Sequence, residues 1–197
     1  HLFFLYKAFT LSSRQIHFAP IEKVGIADSV SLHLAAAIKL PTISTPSDFD
    51  SLAFYNLDTL MTQTFPLVDS LLEKQLVNEF SMIYRWPGLQ NSLPPILLLA
   101  HLDVVPIENK AAWTEPPFSG SVKNGYIYGR GALDDKMSAY GALEAVEMLL
   151  KEGYQPQRTV YLAFGHDEEV GGEKGKRSVN YSSVFSIYAA ISPLDVV

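Results

Sequence analysis

Apolar and polar residues alternate along this chain with two different periods. The stretch Asp28–Lys39 reads as an amphipathic helix capped by Asp28 or Ser29 and ended by Pro41. A second helix runs from Ser47 through Phe49, Leu52, Ala53, Leu57, Leu60 and Met61 to Phe65, before Pro66. Both are packing elements without chemistry of their own. From Glu79 the period drops to two: Phe80, Met82 and Tyr84 alternate with Ser81, Ile83 and Arg85, as in a strand, and Pro87-Gly88 marks a turn. Pro95–Ala100 is a short continuous apolar run, the pattern of a strand covered on both faces. Turns at Pro106, Pro116-Pro117 and Gly120 follow. A long helix then spans Asp134 or Asp135 to Glu152, with Ala139, Ala142, Leu143, Val146, Leu149 and Leu150 spaced by threes and fours and Gly153 at its stop. Thr159–Phe164 is a further buried-type strand. Strand, long helix, strand predicts an α/β sandwich with a crossover connection.

Composition narrows the function more than the fold. The 15 Lys and Arg against 21 Asp and Glu give a net charge of −6, which excludes a general nucleic-acid binder because phosphate contacts need cations. A chain that is 48% hydrophobic and 18% charged is not disordered. With no cysteine among 197 residues, disulfides, thiolate nucleophiles and Cys-ligated zinc are all excluded. At the N-terminus, His1–Phe9 is apolar but broken by Lys7 and far shorter than the roughly 20 residues that span a bilayer. Without an initiating Met, segment 1–19 reads either as the remnant of a signal anchor or as a short element of the fold. It leaves open a membrane-anchored or exported parent, and the compartment stays unassigned. The C-terminal Ser192–Val197 stops in mid-pattern, which suggests a truncation.

The polar residues with chemical potential lie where such sheets bind ligands, beyond the carboxyl ends of strands. His101-Leu102-Asp103 follows the first buried strand, Asp134-Asp135 precedes the long helix, and His166-Asp167-Glu168-Glu169 follows the next strand. Singly, each has an ordinary reading as a hydrogen-bonded pair, a helix cap or a solvated loop. Together they crowd one imidazole and several carboxylates at one sheet edge, and that crowding needs a cation. Imidazole and carboxylate without sulfur suit zinc, manganese or cobalt in a hydrolytic site. A carboxylate bridging two ions about 3.5–4 Å apart would make a two-metal clamp. One glutamate of the doublet must then stay off the metal as base, while its neighbour can be a ligand.

Four ordered segments carry a family resemblance: Ala100–Pro106, Trp113–Gly120, Tyr128–Lys136 and Gly165–Gly172. They resemble the successive signatures of the carboxypeptidase S and aminoacylase-like zinc metallopeptidases, over about Leu57 to Gly175. Phe65-Pro66 and Tyr84–Gly88 resemble the carboxypeptidase S branch. The resemblance implies a three-layer αβα sandwich with a mixed sheet, zinc-exopeptidase-like and incomplete here, with residues 20–197 as the N-terminal portion of the catalytic domain. It implies that His101 binds one metal, Asp134 bridges both, and Glu169 binds the other. Asp103 would orient His101, and Glu168 would be the base that takes a proton from metal-bound water. Asp135 is then a cap or support. Gly129, Gly131, Gly171 and Gly172 give the backbone freedom around the site. Two zinc ions are implied per complete site, with cobalt or manganese as substitutes. Departures from the pattern are equally visible: Val196-Val197 replaces the usual glycines beside Asp195, the further carboxylate position. A late histidine and a smaller inserted domain, which brings dimerisation in the family, are absent from the sequence.

The function implied is metal-dependent hydrolysis of an amide next to a free carboxylate, in peptides or N-acyl amino acids. The competing expectation is a truncated or diverged fragment that binds metal or a partner without turnover. The isolated chain is expected to be inactive, because its ligand set is short, and prone to aggregate through apolar surface.

Overall fold

The computed structural model describes residues 27–47 and 49–172, with Tyr6, Phe9 and Thr10. The rest of segment 1–19 and Asp195 lie outside the described residues. Helix α1, Asp28–Ile38, buries Leu34, Ala35, Ala37 and Ile38. Its N-cap is Ala27, without a side-chain hydrogen bond, so the expected cap at Asp28 or Ser29 is one or two residues late. Asp28 instead occupies the first turn, where a carboxylate faces the positive end of the helix dipole. Helix α2, Ser51–Thr64, starts later than the expected Ser47 because Asp50 caps it, accepting a hydrogen bond from Ala53 N at 3.1 Å. Just upstream, Phe49 is held extended by a bridge to Ser44. Pro66 both ends α2 and begins the short helix α3, Pro66–Leu71, at whose first position a missing N–H costs nothing.

Among the described residues the sheet has four strands in the order β1-β2-β6-β3: β1 Glu73–Val77, β2 Ser81–Trp86, β3 Ile96–His101 and β6 Val160–Gly165. Strands β1 and β2 form a hairpin whose turn uses positive φ at Asn78 and Glu79. β2 runs antiparallel to β6, and β6 parallel to β3, so the sheet is mixed. Helix α4, Lys136–Lys151, makes the expected crossover from β3 to β6, and Gly153 follows it at φ +71°, as its stop position requires. A separate hairpin, β4 Ser121–Lys123 and β5 Tyr126–Tyr128, turns at Asn124-Gly125, both with positive φ.

One face of the sheet is buried under the helices. Met82, Tyr84, Trp86, Leu162 and Phe164 pack there against Phe54, Leu57, Phe65, Tyr140 and Leu143. The opposite face carries a smaller apolar cluster of Val77, Ile83, Leu97, Tyr161 and Ala163. The fold is therefore mixed α/β around a mixed sheet. Among the described residues the expectation that Pro95–Ala100 is covered on both faces is corrected, because Leu98 is 41% and Leu99 67% exposed. Among the described residues, no helix is long and apolar enough to cross a membrane.

Candidate metal centre

The three polar clusters converge at the carboxyl ends of β3 and β6. His101 is the last residue of β3, paired with Gly165 of β6. The chain leaving β3 is fastened at once: Leu102 N donates to Gly165 O at 2.8 Å, Val104 N to Thr42 O at 2.9 Å, and Thr42 Oγ1 to Leu102 O at 2.6 Å. Asp103 lies between these anchors with no exposed surface. Its carboxylate accepts the backbone N–H of Glu168 on Oδ1 at 3.1 Å and that of Glu169 on Oδ2 at 3.0 Å. The Nδ1–H of His101 faces the Asp103 carbonyl at 3.1 Å and its carboxylate at 3.4 Å. One buried carboxylate thus fixes both an imidazole and the turn that carries two glutamates.

Asp134 arrives from the other side, immediately before α4. Asp135 sits at the helix N-cap but makes no side-chain capping bond, so its expected role as a cap is not seen. Lys136, the first residue of α4, does the fixing instead. It is fully buried, and its Nζ donates to Ala37 O at 2.9 Å and Leu40 O at 2.7 Å, which ties α4 to the carboxyl end of α1. Burial lowers its ammonium pKa to about 7. Gly131, at φ +82°, leaves room for this packing, since a Cβ there would stand 2.7 Å from Val104 Cγ1. Asp134 Oδ1 reaches His101 Nε2 at 3.0 Å.

The glutamates sit on a 3₁₀ turn, Glu168–Val170, closed by Gly171 and Gly172 in left-handed conformations. Single ligand atoms of His101, Asp134 and Glu169 all lie within 4.8 Å of one another. Glu168 stands beside this triad, its Oε2 3.9 Å from His101 Nε2 and its side chain 63% exposed. The electrostatics show the crowding. Hydrogen bonding to Asp103 first, then to Asp134, holds His101 up at about 9 against the opposing effect of burial. Burial, and next the Asp134 carboxylate, raises Glu169. In the metal-free chain a proton on His101 offsets the surrounding carboxylates. A divalent cation fits the same place, because the donors are one imidazole and carboxylate oxygens.

Two contributors beyond the expected set emerge. His166, expected only as a member of a polar cluster, is buried among aromatic rings and bonded to Ser81. Lys136 was legible only as the end of a motif. Nothing in periodicity or spacing marks either, since their partners are far away in sequence.

Residues 97–185 match the model of peptidase family M20/M25/M40. The protein named "Probable carboxypeptidase S-like 2" of Dictyostelium discoideum is 45% identical over 151 residues, 75% of this chain and 29% of that protein. The N-fatty-acyl-amino acid synthase/hydrolase PM20D1.1 of Danio rerio is 43% identical over 142 residues, 71% of this chain and 28% of that protein. An M20 family metallo-carboxypeptidase from Sulfolobus solfataricus shares the fold with a TM-score of 0.60 at 22% identity, over 74% of this chain and 32% of that one. The chain thus spans less than a third of the length of these relatives. The ordered motifs agree with the family match, and over residues 97–185 the chain carries the pattern of peptidase family M20/M25/M40.

Proposed function

We propose that the chain forms part of a metal-dependent hydrolase that cleaves an amide bond next to a free carboxylate, in peptides or N-acyl amino acids. The observation that carries this reading is the convergence of His101, Asp134 and Glu169 within 4.8 Å, with Glu168 beside them and outside the triad. The names of the Dictyostelium discoideum and Danio rerio relatives, "Probable carboxypeptidase S-like 2" and "N-fatty-acyl-amino acid synthase/hydrolase PM20D1.1", support the substrate class.

In this reading His101, Asp134 and Glu169 would hold the metal, zinc in the first instance with cobalt or manganese as substitutes. Bound metal supplies Lewis acidity that polarises the amide carbonyl and acidifies a water. Asp103 keeps the imidazole oriented with Nδ1–H inward and Nε2 toward the site, the usual arrangement for a ligand histidine. Glu168 accepts the proton of the attacking water and delivers it to the leaving nitrogen, so that the amide C–N bond breaks as the new C–O bond forms. Its exposed carboxylate suits that exchange better than a buried one would.

The test is Glu168→Gln in the full polypeptide carrying this chain, with dipeptides and N-acyl amino acids as substrates. Turnover is expected to fall by about 10²–10⁴-fold with metal content retained, whereas Glu169→Ala should lower metal content itself. Undiminished turnover by Glu168→Gln would refute the role of this residue. Metal binding without any hydrolysis by the unsubstituted protein would favour a non-catalytic chain instead.

A further inference from the structure

The turn that carries Glu168 and Glu169 has an anchor that the mechanism does not use. His166, three residues before Glu169, is 3% exposed, and its Nδ1 is hydrogen-bonded to Ser81 Oγ at 2.7 Å. Its ring stands edge-on to Phe49 at 5.6 Å and to Phe54 at 6.2 Å, and is tilted against Phe80 at 5.7 Å. Its carbonyl accepts the Ser44 hydroxyl at 3.0 Å, and Ser44 is itself buried. The next residue, Asp167, receives Val170 N and Gly172 N on its carbonyl, so the turn closes directly onto this anchor. An aromatic pocket alone would hold any flat apolar ring. The additional bond to Ser81 fixes the rotation of the imidazole, and with it the direction in which the backbone leaves the pocket.

We propose that Ser81 and His166 are positioning residues for the metal centre: their buried hydrogen bond sets the orientation of the 168–170 turn and thereby the place of the Glu169 carboxylate relative to His101 and Asp134. Asp103 grips the same turn from the opposite side through the Glu168 and Glu169 N–H groups. The turn is thus clamped between β2 and the end of β3. The consequence for metal binding rests on the reading of the triad given above; the consequence for the turn does not.

Two measurements separate these levels. Amide hydrogen exchange on the metal-free chain reports the Glu168 and Glu169 N–H groups directly. Ser81→Ala should speed their exchange by about 10-fold, the scale of one lost buried hydrogen bond, while amides of β1 stay protected. Ser81→Thr, whose extra methyl can point into the groove beside β2 that Ser81 lines, should restore protection to within about threefold. His166→Phe keeps a ring in the pocket but not the bond; it should match Ser81→Ala, and the double variant should be no worse than either alone. Titration with Co²⁺ alone, followed by its visible absorption, then reads the metal centre. Ser81→Ala should weaken Co²⁺ binding by about 10-fold and alter the spectrum, with rescue by Ser81→Thr. Glu147→Ala, which lowers global stability away from the site, should leave Co²⁺ affinity and spectrum unchanged.

Uniformly faster exchange across all strands would show a merely structural bond and overturn the proposal. Selectively faster exchange with unchanged Co²⁺ affinity and spectrum would overturn it as well. Failure of the unsubstituted chain to bind Co²⁺ would sink the metal reading instead, and unaltered exchange of the Glu168 and Glu169 amides in Ser81→Ala would then refute the clamp independently.

Discussion

Replacing Asp103 by Asn removes a charge from a wholly buried position while keeping the shape of the side chain. The carboxylate accepts Glu168 N at 3.1 Å and Glu169 N at 3.0 Å, one on each oxygen. An amide offers only one acceptor oxygen, so one of these donors would face an NH₂ group, and a hydrogen bond to a charged acceptor contributes about 1.5–3 kcal/mol. The second loss is electrostatic. Asp103 is the largest cause of the rise of His101 from 6.5 to about 9, with Asp134 adding to it. A rise of that size amounts to roughly 3 kcal/mol of preference for the imidazolium in the folded chain, of which Asp103 supplies the larger part. Because the folded-state pKa lies above the unfolded one, this stabilisation is complete below pH 6.5 and is lost as the pH climbs through about 9. In the metal-free chain Asp103→Asn should therefore cost about 4 kcal/mol at pH 6 and about 2 kcal/mol at pH 9.5. Urea unfolding in the presence of EDTA at the two pH values measures both. A cost that is independent of pH, or that grows with pH, would refute the coupling of Asp103 to His101. A cost below about 1 kcal/mol at both would refute its grip on the turn.

Glu147 of α4 is buried, and its Oε2 accepts Leu67 N and Val68 N at 3.0 Å each, capping α3 from a neighbouring helix. Glu147→Ala should lower stability in urea by about 3 kcal/mol, and Glu147→Gln, which keeps an acceptor, should recover roughly half of that. At Gly120, φ is +56° and a Cβ would stand 2.1 Å from Ala35 O. Gly120→Ala should lower stability by about 3 kcal/mol or more, seen as a fall in the thermal midpoint, because backbone rather than a flexible side chain must move. Leu99, exposed on β3 at the sheet edge, should drive self-association; Leu99→Lys is expected to shift light scattering toward monomer with an unchanged urea midpoint.

Some of this architecture was legible because its signals are local. The α4 period, the β6 apolar run and Gly153 lie within single segments, and the motif order points His101, Asp134 and Glu169 to the one sheet edge where they meet. Strand β1 was not legible: Glu73-Lys74-Gln75-Leu76-Val77 is a polar edge strand whose pairing with β2, not its composition, makes it a strand. Helix α3 hides behind Pro66, which ends one helix in sequence and starts another in space. Strands β2 and β3 follow each other in the chain but do not pair, because β6 returns between them after the crossover. The apolar run at β3 records a tendency to be covered, and covering depends on a further layer rather than on the run itself.

The candidate site divides in the same way, and the division has a physical reason. Two of the candidate groups are largely open to solvent: the Asp134 side chain is 78% exposed and that of Glu168 63%. Exposed side chains on loops cannot hold a geometry unaided, since little packing opposes their rotation. Each strand-end or helix-start segment here therefore carries a buried polar anchor within three residues of the group it presents. Asp103 follows His101 by two and binds the glutamate turn; Lys136 follows Asp134 by two and binds the end of α1; His166 precedes Glu169 by three and binds Ser81 of β2. The last two anchors reach partners 99 and 85 residues away in sequence, which is why motif spacing displays the candidate ligands and conceals what fixes their segments. Each anchor is costly to bury without its partner and favourable with it. A change at any of them should thus loosen one arm of the site while leaving the chemistry of its exposed groups intact.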